Sequence, residues 1–519
     1  MSTDRTQNVS RNMLWGLINK IVTIVFPFII RTVMIYTLGM RFVGLGSLFT
    51  SVLQVLSFAE LGIGGALVFS MYKPIANDDA KTVCALLNFY KKTYGCIGII
   101  ILVIGLAIMP FMDYLIAGDV PDNINIYLLF LIYLANNVLG YFLFAYKQAL
   151  FTATQRVDII SKIGTVMQIV TGGLQIVALI SLENYYTYAI IIPLGSCLNN
   201  LIVGYLAEKK YPHYKCYGEI EKDELKEIKK RVGGMIFQRI GSIVLTSADT
   251  IVISAFLGLL SLAKFQNYYY VFTALNAFLA VIQQSIIPSI GNSIANSTVE
   301  KNYNDFKKFN FIYLWITLWF SVCLLCLYQP FMEIWVGKQN MFEMGIVLLF
   351  AVYFFIYKWC DMLYVYQQAC GIWWETRYVP LIAAIFNLVI NIVLVKIIGL
   401  PGILISTIIA ILFVYDVGYA KVLFETYFIS IKNGVKNYWI RQVLYFLTAI
   451  IASLVTYCSC SALLISNIYS RFIVNGIICT IVPNIIIYIL WHNTAEFTET
   501  VSLLKLFAGG FSNGNKKKN

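Results

Sequence analysis

Four basic residues, Lys20, Arg31, Arg239 and Lys358, stand inside long runs of otherwise apolar residues. Such runs fold as helices, and at about 100° per residue the gap between Lys20 and Arg31 leaves them about 20° apart around the axis. The two charges therefore share a face. A cation in an apolar surround costs on the order of 3 kcal/mol, so it needs an anionic ligand or a carboxylate partner. For Arg31 both readings stand open: an anion site with Lys20 and Arg239, or a pair with Asp249, which lies in the same run as Arg239. Lys358 and Asp361 are about one helical turn apart and read as a local ion pair. Glu60 and Asp416 offer carboxylates to a coupling cation, with Asp416 expected to be solvated near the inner end of its run.

Other chemistries find no support. The two histidines, His213 and His492, lie on different segments, and Cys323-Leu-Leu-Cys326 has no nearby ligands to complete a zinc site. The eleven cysteines read as packing residues, and no metal is expected. No G-x-x-x-x-G-K-[ST] motif occurs, which excludes ATP hydrolysis by a P-loop.

The elements that position these residues must be helices in a lipid bilayer. The chain is 59% hydrophobic and 12% charged over 519 residues, so no arrangement in water hides its surface. A spanning helix needs about 20 apolar residues, and β-barrel strands are shorter and alternate in polarity. The expected spans are 12–37, 43–72, 93–112, 124–150, 157–181, 185–206, 232–259, 265–295, 309–331, 343–371, 378–398, 401–420, 441–465 and 472–492. The first is read as retained rather than cleaved, because no small-residue cleavage site follows it.

Lysine and arginine set the orientation. With the N-terminus inside, the cytoplasmic segments hold 29 of the 38 basic residues, eight of them in 209–231. The outer connections instead carry Asp113, Asp119, Asp122, Glu183, Glu333 and Glu343, so the net charge of +12 belongs to the inner face. Both termini are expected in the cytoplasm, and the Lys516-Lys517-Lys518 tail reads chiefly as a topology signal.

The loop 207–231 divides six spans from the next six, and the two sets match. Gly39 and Gly258 close the first helices at an offset of 219, which also places Lys20 on Arg239 and Arg31 on Thr250. Pro110-Phe111-Met112-Asp113 corresponds to Pro330-Phe331-Met332-Glu333, and Tyr146-Lys147-Gln148-Ala149 to Tyr366-Gln367-Gln368-Ala369, both at 220. Six spans between equivalent points make this a parallel repeat about an axis along the membrane normal. Each half has a polar stripe on its second helix: Ser47, Thr50, Gln54, Ser57 and Glu60 in one, Gln266, Tyr269, Thr273, Asn276 and Gln283 in the other. Interhelical hydrogen bonding explains one such stripe; two equivalent stripes favour a shared cavity.

The Arg11-Asn12 to Gly39 helix with its internal cations, the run Phe58-Ala59-Glu60-Leu61-Gly62-Ile63-Gly64-Gly65-Ala66-Leu67, the six-plus-six repeat and the two extra helices resemble the Wzx-type polysaccharide flippases. These form the polysaccharide branch of the multidrug/oligosaccharidyl-lipid/polysaccharide (MOP) export superfamily. The resemblance extends over essentially the whole chain. It implies an all-α integral membrane protein of about 14 transmembrane helices, with two parallel six-helix repeats in a V-shaped, MATE-like pair of bundles. The expected organisation is a bundle at 1–206, a cytoplasmic linker at 207–231, a second bundle at 232–421, two further helices within 422–495 and a tail at 496–519.

By that resemblance Lys20, Arg31 and Arg239, with Lys358, are the expected substrate-binding cations, and Gln54, Thr273 and Asn276 of the polar stripes are the expected substrate-binding residues beside them. Glu60, Asp249 and Asp361 are the expected coupling or gating residues, and no residue is catalytic. The implied substrate is an oligosaccharide on a polyprenyl pyrophosphate, moved across the bacterial cytoplasmic membrane by alternating access for surface polysaccharides such as O-antigen or capsule. Polysaccharide assembly proteins are the implied partners; nucleic acid is not. No cofactor is expected beyond a coupling H+ or Na+. Two alternatives remain: a cation-coupled multidrug exporter of the same fold, which would favour acidic and aromatic cavity groups, and a membrane-embedded glycosyltransferase or polymerase, which would usually carry a larger outer loop than 113–123.

Overall fold

In hydrocarbon a backbone must satisfy its own polar groups, and an apolar run of spanning length does so by coiling into a helix. The computed structural model describes residues 2–57, 63–118, 120–121, 123–220, 222–463 and 465–502, with 2–10, 222–224 and 227–237 described by backbone alone. No strand occurs among the described residues. The chain forms two compact units, Met1–Gln266 and Asn267–Asn519.

The first unit is built from α1 (Ser2–Thr37), α2 (Met40–Leu56), α3 (Ile63–Ala76), α4 (Ala80–Ile108), α5 (Ile126–Phe142), α6 (Gln148–Ala153), α7 (Val157–Leu182), α8 (Tyr185–Lys210) and the opening part of α9 (Lys222–Asn296). Helix α1 lies along α7, which packs on α8, and α8 packs on α5. A polar clasp fixes the start of α1. Asn12 Nδ2 donates to the Gln155 carbonyl at 3.0 Å, and the Asp158 amide donates to Asn12 Oδ1 at 2.8 Å. The buried Asp158 carboxylate is met by Arg156 at 2.8 Å and Arg11 at 3.6 Å.

Two glycines give the repeat a backbone signature. Gly39 has φ 100 and ψ 170, and Gly258 has φ 81 and ψ 173, a conformation that residues with a Cβ scarcely enter. Each ends the first helix of its repeat. Gly258 is also pressed for space: a Cβ there would lie 2.6 Å from the Ala117 carbonyl oxygen, and the Ala117 amide donates to the Ser254 carbonyl at 2.8 Å.

The second unit takes the remainder of α9, then α10 (Val299–Val336), α11 (Met344–Trp359), α12 (Asp361–Cys370), α13 (Val379–Ile398), α14 (Leu400–Ala410), α15 (Val417–Thr426), α16 (Gly434–Ser461) and α17 (Ile468–Trp491). Helix α10 is its hub, packing on α11, α16 and α17, while α14 packs on α11 and α13. A π-helical turn, Ile411–Asp416, carries α14 into α15 without a break.

Among the described residues eleven helices are long and apolar enough to cross a membrane, and twelve if the bent pair α5 and α6 is one span. Dividing 238–296 at Gly258 makes two crossings of that segment, and Met40–Leu56 and Ile63–Ala76 are shorter apolar helices. The fourth span of the first repeat is bent, whereas its counterpart runs as one span from Met344 to Cys370. Between α5 and α6 the axis bends by 48° around Phe144 at φ 57, and α11 gives way to α12 at Cys360. Side-chain caps close helix N-termini: Asp79 accepts from the Thr82 amide at 3.1 Å, Asn184 from Thr187 at 3.1 Å, and Asn467 from Ser470 at 3.2 Å. The bonds from Thr82 hold the exposed Asp79 carboxyl below its ordinary value.

Candidate functional site

In the first unit the half-buried Arg31 is anchored to the protein. Its Nη1 donates to the main-chain carbonyl of Gln266 at 2.7 Å, while Gln266 Nε2 donates to Thr250 Oγ1 at 2.8 Å. Thr250 is the residue that the repeat places on Arg31, so one glutamine bonds to equivalent points of the two repeats. Asp249 and Thr250 are both buried, at 4% and 3% exposure. Tyr188 lies within electrostatic reach of Arg31 and stacks on Tyr185 with ring centroids 5.4 Å apart.

Lys20 and Arg239, matched by the repeat, are both exposed and have no ion pair among the described residues.

The two polar stripes differ in how far they are spent. On α2 the hydroxyls of Ser47, Thr50 and Ser57 donate to the carbonyls of Val43, Gly46 and Leu53 at 2.8, 2.8 and 2.9 Å. Ser47 and Thr50 are satisfied within their own helix, Ser57 also accepts from Asn137 Nδ2 of α5 at 2.9 Å, and the exposed Gln54 amide projects from the stripe. Glu60 lies outside the described residues. On α9 Thr273 likewise donates to the Tyr270 carbonyl at 2.9 Å, and Asn276 is half-buried.

In the second unit Lys358 is 4% exposed, and its Nζ lies 2.7 Å from Asp361 Oδ2. The same oxygen accepts from Tyr313 at 2.6 Å and from Gln283 at 2.5 Å, and the ammonium sits 4.6 Å from the Tyr357 ring centroid. This is the local ion pair that the spacing predicts. Three groups converge on Asp361 Oδ2 and the cation is compensated, so Lys358 is held differently from Lys20 and Arg239.

Asp416 corrects the sequence reading. It is buried at 3% exposure rather than solvated, because the helix runs on to Thr426 beyond it. Its Oδ2 has no hydrogen-bond partner among the described residues, and the Cys360 thiol beside it accepts from the Tyr438 hydroxyl at 3.1 Å. Sequence reasoning also missed the Asn12, Arg156 and Asp158 clasp and the part of Tyr313 in the Asp361 network. The Arg11-Asn12 pair was the available signal for the clasp; Tyr313 carried none.

The family described as "Polysaccharide biosynthesis protein" matches residues 9–293, more than half of the chain. The chain belongs to this family. No curated protein matches the sequence. Among solved structures the chain is similar to the lipid II flippase MurJ in an inward closed conformation, with a TM-score of 0.65 at 15% identity over 93% of this chain and 99% of that one. It is also similar to an inward-facing multidrug resistance MATE family transporter of the MOP superfamily, with a TM-score of 0.59 at 15% identity over 78% and 96%. A MATE transporter from Vibrio cholerae, VcmN, gives 0.55 at 12% identity over 83% and 99%. The protein is thus a multi-pass membrane member of the polysaccharide biosynthesis family, and its fold, helical throughout the described residues, is similar to those of MurJ and the MATE transporters.

Proposed function

We propose that the protein is a flippase that carries a polyprenyl-pyrophosphate-linked oligosaccharide across the cytoplasmic membrane by alternating access, for surface polysaccharide assembly. The family match is the observation that carries this reading, and the pair of exposed cations at equivalent repeat positions, Lys20 and Arg239, supports it. A pyrophosphate headgroup is an anion, and a polar path that holds cations lowers the cost of bringing it through hydrocarbon. Arg31, Gln54, Thr273 and Asn276 complete the proposed polar path. Lys358 and Asp361 act in it as a gating pair, with Asp249 and Glu60 as coupling carboxylates.

Energetics fit a passive or ion-coupled route. About two negative charges leaving a cell with a negative interior gain roughly 2.3 kcal/mol each per 100 mV, so ATP hydrolysis is not required. A coupling H+ or Na+ adds to that drive. In this reading the loop 207–231 and both termini face the cytoplasm.

Reconstitution tests the proposal. Liposomes holding the purified protein and a fluorescent polyprenyl-pyrophosphate oligosaccharide in the inner leaflet should expose intact sugar to an external lectin, faster when the interior is negative. Formation of new glycosidic bonds would instead mark an enzyme, and uptake of cationic dyes without lectin binding a multidrug exporter.

A further inference from the structure

Three cysteines far apart in sequence converge in the second unit. Cys326 of α10, Cys460 of α16 and Cys479 of α17 are all buried, and their Sγ atoms lie within 4.8 Å of one another. The Cys326 thiol is within hydrogen-bonding reach of both others, and all three are free thiols. The three helices pack pairwise around the cluster. Packing explains why each thiol is buried, since free cysteine behaves as a small apolar group, but it does not require the three sulfurs to meet at one point.

Three sulfurs at this spacing outline a trigonal site. With metal–sulfur bonds of about 2.3 Å, the edges of such a triangle are roughly 4 Å, so only a small contraction is needed. The ligand set restricts the metal. No carboxylate belongs to the group, which disfavours Mg2+ and Ca2+, and Zn2+ usually takes four ligands. Soft thiolates favour Cu+, and for a monovalent ion a single thiolate balances the charge, a strong advantage for a site buried among apolar helices.

We infer that Cys326, Cys460 and Cys479 form a three-sulfur site for a soft monovalent cation of the Cu+ class. Binding deprotonates at least one thiol and releases that proton to water, with no change in the oxidation state of metal or sulfur. The bound ion fastens α16 and α17, the two helices outside the repeat, to the hub helix α10. The site is independent of the proposed transport path.

The test uses the full-length protein in detergent, reduced and kept free of oxygen, titrated with Cu+ against a chromogenic Cu+ chelator. One Cu+ per chain should resist the chelator, X-ray absorption should show a shell of three sulfurs, and the thermal midpoint should rise on loading. Replacing the exposed Cys96 and Cys458 by serine should leave binding unchanged, whereas Cys326→Ser, Cys460→Ser and Cys479→Ser should each weaken it. If the serine variants fail to fold, the wild-type absorption spectrum decides: a shell without three sulfurs overturns the site. So does complete loss of Cu+ from the wild type to the chelator, or undiminished binding by folded serine variants.

Discussion

The Arg31 guanidinium donates to the main-chain carbonyl of Gln266 at 2.7 Å, which fixes this cation to the start of the second repeat's polar stripe. Arg31 therefore combines a structural bond with a charge, and the two can be separated. Arg31→Gln should lower lectin-detected translocation and also lower the thermal midpoint, since a charge-assisted hydrogen bond of about 1.5–3 kcal/mol is lost. Lys20→Gln and Arg239→Gln, at exposed positions, should lower translocation with the midpoint unchanged. Normal transport by all three variants, at matched expression, would remove the anion path.

The buried pair of the second unit should behave as a unit. Lys358→Met leaves the Asp361 carboxylate beside Tyr313 and Gln283 without its cation, and loss of one partner of a buried pair costs about 3–5 kcal/mol. Adding Asp361→Asn should recover much of that loss. Thermal unfolding of the two single variants and the double variant gives the coupling directly; simple additivity would show that the pair contributes nothing together.

Gly258→Ala should destabilise the first unit. A methyl group there meets the Ala117 carbonyl at 2.6 Å, and the backbone sits at φ 81, so a cost on the order of 1–3 kcal/mol is expected. Gly173→Ala is the matched control, in mid-α7 with nothing within 4 Å of its new Cβ, and should be neutral or stabilising by roughly 0.5–1 kcal/mol. Equal midpoints for the two variants would contradict the strain.

Cysteine labelling decides the orientation. In a background without accessible thiols, a cysteine at position 220 should react with an impermeant reagent only after the cells are opened, and one at position 114 should react in intact cells. The reverse pattern inverts the topology.

Much of this was legible in the sequence because the signals were periodic or duplicated. Apolar runs announced the helices, and Gly39 with Gly258 announced a repeat that the backbone marks with the same unusual dihedral angles. The bend at Phe144 was not legible, since apolar residues continue across it and hydropathy carries no dihedral angle. Asp416 was misplaced because a carboxylate late in an apolar run resembles an interfacial one; its burial depends on neighbours such as Cys360 from another helix. The three-cysteine cluster was invisible for a related reason: residues 326, 460 and 479 have no common spacing and meet only through packing.

The helix that carries Asp416 also records its own length. Ile403, Thr407, Ile411, Asp416, Ala420 and Phe424 are all buried, at exposures from 0 to 4%, and their spacing is four residues at every step but one. The exception is the five-residue step across Ile411–Asp416, the π-helical turn. Each four-residue step runs about 40° past a full turn of an α-helix, and the wider π-helical turn takes up one residue more than those steps. The π-helical turn absorbs that residue locally, and the buried stripe resumes on Asp416, Ala420 and Phe424.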